Sequence, residues 1–350
     1  MTTTTHVETV ERSRRVSALQ KVLEGHTTTL LGLTVLVMLV FSVLAPGTFP
    51  TALNLQAIGY ATPEIALLAL AVAVCMSTGG IDLSIVATAN LAALTIAGVS
   101  MQLVAFGLPA AAAVGSGIVC GLITGLSAGL LNGLLITRAR IAPILATLAT
   151  MTVFTGLALI ITRGQPLYGI PDELVQLGTA TIAIVPVSFW ILLVVVAGLW
   201  YLMRRTRFGI RLILIGSSAE AADYTGLRRR RALVLTYALS GAIASFAGLL
   251  ITARTASASA DYGSSYLLLA ITIAVLGGTR ATGGNIPVVG VAVGAVLLQM
   301  VSSGFNLLNI SAYLYQMVQG VILIVVLIVE LRAGRRSRLW DRVLPKKEGG

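Results

Sequence analysis

Long uncharged runs separated by short polar segments cover most of the 350 residues. Apolar windows fall near 28–45, 57–77, 84–105, 108–136, 143–162, 186–203, 232–252, 266–278, 287–303 and 312–331. Crossing a bilayer takes about 20 apolar residues, and 266–278 meets that demand least well. The pattern predicts an all-α polytopic membrane protein of about ten transmembrane helices in two pseudo-related halves, with broken-helix elements. Residues 1–27 form a polar N-terminal segment, 28–331 the membrane domain and 332–350 a basic tail. The charged lead before the Leu30–Ala45 run is too long for a secretory signal, so this run is expected to stay as the first span.

One interruption differs from an ordinary loop. The runs Ile65–Met76 and Ile85–Ala105 carry no charge, and between them stand Thr78, Gly79, Gly80, Ile81, Asp82, Leu83 and Ser84. An ionised carboxylate facing lipid is costly, and two adjacent glycines free backbone groups that membrane depth tolerates only inside protein or beside a cavity. The segment reads either as a short turn with Asp82 capping the next helix, or as a broken-helix element of a transport pathway containing Thr78, Gly79, Gly80, Asp82 and Ser84. As a cap, Asp82 would accept the free amides of the following first turn. In the second half, the stretch Leu276–Gly284 interrupts the apolar pattern in the same way through Gly277, Gly278, Gly283 and Gly284. Paired breaks in two halves are a mark of discontinuous helices near a pathway.

The 108–136 run places Gly117, Gly121, Gly125, Gly129 and Gly133 four residues apart. On a helix this makes a ridge without side chains, which another helix can approach closely. Four residues overshoot one turn by about 40°, so the ridge winds and suits a crossing partner or several partners in succession.

Composition agrees with the spans: 57% of residues are hydrophobic and 11% charged, with a mean hydropathy of +0.94. The net charge of +11 could suggest nucleic acid, but the basic residues gather at 12–21, at Arg138 and Arg140, over Arg204–Arg231 and over Arg332–Lys347. Those are loops expected on the cytoplasmic side under the positive-inside rule. Ten spans in the cell membrane then put both termini in the cytoplasm, with 46–56, 163–185 and 304–311 outside. Arg254 also falls outside, against the rule. Glu64 sits inside the second span, near its expected outer end and the interface. Cys75 and Cys120 lie in apolar runs and read as packing residues.

The most polar internal stretch is the loop 204–231. Ser217, followed by Glu220, forms a capping-box pattern; Ala221 and Ala222 favour helix, and Gly226 is a natural stop. A helix of about two turns is expected there, either a plain connector or a docking element for a cytoplasmic partner.

The residues taken together resemble a known family. Gly79–Ser84, Leu131–Leu134, Thr147–Met151, Gly164–Pro166, Glu220–Ala222 with Gly226, Tyr237–Gly241, and the two glycine pairs of 277–284 occur in the order seen in ribose-type sugar ABC importer permeases. The resemblance covers roughly 55–335. It implies a second permease subunit, identical or not, two cytoplasmic ABC ATPase domains, an extracytoplasmic substrate-binding protein and a sugar or sugar-like substrate. It also implies that Ser217, Glu220, Ala221, Ala222 and Gly226 belong to the element coupling the permease to the ATPase. The chain departs from the usual pattern at Ile85-Val86-Ala87 and at Asp223.

The residue inventory narrows the classes further. The histidines, His6 and His26, precede the first span, and the lysines are Lys21, Lys346 and Lys347. Neither a His base nor a Walker A lysine is available within the bundle, so no cofactor is expected in this chain and ATP would be used by a partner subunit. The competing class is an ion- or proton-coupled secondary transporter with Asp82 and Glu64 as its coupling carboxylates.

Overall fold

The computed structural model describes residues 27–217, 228–263, 265–284, 286–325 and 328. Within them run α1 (Thr27–Leu44), α2 (Ala52–Met76), α3 (Ile85–Ala105), α4 (Ala110–Thr137), α5 (Pro143–Thr162), α6 (Asp172–Thr179), α7 (Val187–Arg205) and α8 (Arg207–Ser217). There follow α9 (Arg229–Thr255), α10 (Tyr266–Leu276) and α11 (Val288–Leu307), and then α12 (Ala312–Val325). A two-stranded antiparallel pair, β1 (Thr181–Ile182) and β2 (Val185–Pro186), leads into α7. Eight of these helices are long and apolar enough to span a membrane, while α10 and α12 are shorter apolar helices. Each of the ten expected windows thus holds a helix among the described residues, and the helix of the one read as weakest is only 11 residues long.

Helix α2 is apolar on every face, and a helix of that kind must be enclosed. Every residue from Ala66 to Cys75 is fully buried. The enclosing helices are α9, α10, α11 and α7, while α3 packs chiefly on α4, α9 and α5. The outer helices keep apolar faces exposed, as at Ile160 on α5 and Val194 on α7. Phe41, Phe49, Phe305 and Tyr315 stack in a row that ties α1 to α11 and α12.

The winding glycine ridge of α4 meets two partners in turn. A Cβ at Gly117 or Gly121 would enter α3 at Ser100 or Ile96. One at Gly125, Gly129 or Gly133 would enter α9 at Ser245, Tyr237 or Val234. All five glycines are buried.

One expectation needs correction. Glu64 is not interfacial: it is 1% exposed and sits halfway along α2. The guanidinium of Arg254 at the end of α9 reaches it, Nη2 to Oε1 at 2.6 Å and Nε to Oε2 at 3.3 Å. The basic residue on the wrong side for the charge rule thus has a local task, since a buried carboxylate is tolerable only when paired.

Candidate functional site

The first break begins where α2 ends. Ser77 and Thr78 turn their hydroxyls back to the carbonyls of Val74 and Cys75, and Gly79 takes a left-handed φ of 79°. At Gly80 a Cβ would strike the Tyr237 hydroxyl and lie 3.3 Å from Pro143. The chain then turns back into the bundle. Asp82 is 2% exposed and Ser84 fully buried.

Two groups of Ser84 hold Asp82 directly, and a chain of hydrogen bonds behind them fixes the loop. Its Oδ1 accepts the Ser84 amide at 2.9 Å and the Ser84 hydroxyl at 2.7 Å. Asn132 on α4 donates to Ser84 Oγ at 2.7 Å, and Thr150 on α5 donates to Asn132 Oδ1 at 2.6 Å. Thr147 accepts the Leu83 amide at 3.2 Å and donates to the Pro143 carbonyl at 2.9 Å. Asn132 lies five residues before the end of α4, so the loop dips about 7 Å below that end. The capping expectation is corrected in detail: the N-cap of α3 is Ser84, which makes no side-chain cap bond. Asp82 sits two residues too early for first-turn amides and instead closes a local turn on the Ser84 amide. It is an internal tie among the loop, α4 and α5, shut off from any opening.

The second break follows α10. Gly277 ends the helix with its amide on Ile273, and its Cα lies against the Val291 backbone. Gly278, Gly283 and Gly284 take φ values of 96°, 95° and 112°, conformations open to glycine.

The two breaks meet. The Gly284 amide donates to the Ser77 carbonyl at 2.8 Å, and a Cβ at Gly79 would sit 3.5 Å from the Thr282 carbonyl. A third element joins them: Gly216 of α8 lies so close to Ser77 and Gly284 that a side chain there would collide with both. A Cβ at Gly283 would in turn stand 2.7 Å from the Gly216 carbonyl oxygen. Nothing in the sequence pairs Gly216 with the other two segments, although its position on an amphipathic helix next to a basic loop is legible.

Ser217 closes α8 rather than standing clear of it, and its hydroxyl donates to the Ile213 carbonyl at 2.6 Å. Glu220, Ala221, Ala222 and Gly226 lie outside the described residues. The pairing of buried Glu64 with Arg254 was not foreseen from the sequence. The signal available was the coincidence of one misplaced arginine and one intramembrane acid in different spans.

With this geometry in place, comparison with known proteins decides the family. A family model, described as the permease component of branched-chain amino acid transport systems, matches residues 54–327. The chain belongs to that permease family. It is 36% identical over 302 residues to the ribose import permease protein RbsC of Bacillus subtilis, covering 86% of this chain and 91% of the relative. It is 32% identical over 323 residues to the galactofuranose transporter permease protein YtfT of Escherichia coli, covering 87% and 91%. The autoinducer 2 import system permease protein LsrD of Salmonella paratyphi A is 31% identical over 305 residues, covering 83% and 88%. No solved structure matches the chain.

Proposed function

We propose that this chain is the permease subunit of an ATP-driven importer that passes a monosaccharide or related polyhydroxylated solute from an extracytoplasmic binding protein into the cytoplasm. The observation that carries the reading is the three-way backbone contact of Gly216, Ser77 and Gly284. It connects the helix leading into the 218–227 loop with both breaks of the bundle, so a push on that loop reaches both at once. In this reading the loop docks on a separate ABC ATPase, both termini are cytoplasmic, and a second permease subunit completes the passage. The names of the relatives favour a sugar over an amino acid as cargo, although the family description includes branched-chain amino acids.

The secondary-transporter alternative loses support. Its two carboxylates are engaged: Glu64 is held by Arg254, and Asp82 is closed within its own network.

Co-reconstitution with the ATPase and binding protein that accompany the chain tests the proposal. A panel of ribose, galactofuranose, other pentoses, hexoses and leucine would be offered on the binding protein. Stimulated ATP hydrolysis with accumulation of one sugar is expected. Uptake of leucine alone, or uptake that follows a proton gradient without ATP, would overturn it.

A further inference from the structure

Helix α10 has 11 residues, a rise of about 16 Å, whereas the apolar core of a bilayer is about 30 Å thick. Ahead of it, residues 256–263 and 265 are not helical. The depth of this stretch is fixed independently: Asn90, in the second turn of α3, donates to the Ala260 carbonyl at 2.7 Å. Ala258 is fully buried and Ala260 nearly so. The stretch therefore descends from the end of α9 into the bundle, then turns into α10 at Tyr266. Irregular backbone at this depth is found where it is enclosed by protein or lines water.

Its inner side is enclosed, but its other side is polar and open. Asp261 and Ser265 are exposed, and the Arg254 side chain is 36% exposed while gripping Glu64. Tyr262 shares a hydrogen bond of 2.6 Å with Ser257, and Tyr266 opens α10 beside this stretch. A carboxylate, a guanidinium and a serine hydroxyl cannot share a lipid-facing patch without a large desolvation cost.

We infer that residues 256–263 and 265, with Arg254, Asp261, Tyr262, Ser265 and Tyr266, form the polar contact station of the translocation passage. Its cargo class is a neutral polyhydroxylated solute, met by donors from the guanidinium, acceptors from the carboxylate and two tyrosine rings. The inference rests on the importer reading. It assigns the contact to this half-span rather than to the sealed Asp82 loop.

The test uses thiol accessibility in the full complex, in proteoliposomes. Ser265→Cys and, separately, Val194→Cys on the exposed apolar side of α7 are placed in a Cys120→Ser background and treated with a cationic methanethiosulfonate. An apolar surrounding suppresses the reactive thiolate by a factor of ten for each pKa unit, so the thiol at position 265 should react at least about tenfold faster than that at position 194. In the same complex, Asp261→Ala and Tyr262→Phe should each cut uptake of the panel-selected sugar about tenfold, one lost hydrogen bond to a charged or buried group being worth that much. Equal reactivity at positions 265 and 194, or wild-type uptake by both variants, would overturn the inference. Loss of ATP-dependent uptake in the wild type would count against the importer reading instead.

Discussion

Replacing Gly125 on α4 gives the most direct check on how the bundle is held. A Cβ there would collide with the Ser245 hydroxyl and stand 2.5 Å from the Gly241 carbonyl oxygen. Ordinary carbon contacts are about 3.5–4 Å, so α4 and α9 would have to separate locally by about 1 Å or more. Ser245 cannot swing aside freely, because its hydroxyl already donates to Gly241 at 3.0 Å. Overpacking of this kind costs about 1–3 kcal/mol for a methyl, and Gly125→Leu should exceed it. At about 2–4 °C per kcal/mol, Gly125→Ala should lower the melting midpoint by about 2–12 °C. The assay is a thermal melt of the detergent-solubilised protein followed by size exclusion. Gly115 is the matched control, on the same helix with nothing within 4 Å of its Cβ position. Should Gly125→Leu melt with the wild type, or Gly115→Leu fall as far, the face assigned to packing meets lipid and the reasoning fails.

Three further outcomes are expected. Asp82→Asn keeps an acceptor for Ser84 and should retain substantial uptake, whereas Asp82→Ala leaves two buried donors unpaired at about 1–3 kcal/mol each and should retain little; equal loss in sugar uptake would contradict this. Arg254→Ala strands a buried Glu64 and should cost about 3–5 kcal/mol in thermal stability; Glu64→Ala should cost less because Arg254 can rehydrate, and the reverse ranking would refute the pairing argument. Gly216→Val should abolish uptake while ATP hydrolysis continues, and Glu220→Arg with Gly226→Pro should sever hydrolysis from the permease; wild-type coupling ratios in both would remove the transmission role.

Span positions were readable because apolar length alone decides whether a helix can cross lipid. The glycine ridge was readable for a related reason: a four-residue spacing fixes geometry along one helix, as the successive contacts of Gly117 and Gly133 with α3 and α9 illustrate. What escaped the sequence was contact between segments distant in the chain. Gly216 shows no motif, and its role depends on meeting Ser77 and Gly284 from two other segments. The half-span likewise hid in plain sight: 266–278 scored as a weak window because α10 is short, and the polar stretch before it read as a loop outside the membrane. The depth of that stretch depends on the Asn90 contact with Ala260, a pairing across 170 positions.

The distribution of contacts also separates what can move from what cannot. Along α4 the glycines bring whole backbones of α3 and α9 together, so any sliding there forfeits many dispersion contacts at once. Asp82 adds a chain of buried hydrogen bonds joining the first break to α4 and α5. The junction of α8 with both breaks is built differently: Gly216, Gly283 and Gly284 offer no side chains, and the described hydrogen bond across it is that of Gly284 to Ser77. One such bond contributes about 1 kcal/mol net. A shift of α8 would therefore exchange that bond and a few backbone contacts, whereas a shift of α4 against α9 would unpack an interface. In the proposed reading, motion entering α8 beyond Ser217 would meet little resistance at this junction. The chain beyond it runs through Gly277 into the half-helix α10 and on to Tyr266 and Arg254. A displacement there would reach the polar station through a single helix of 11 residues.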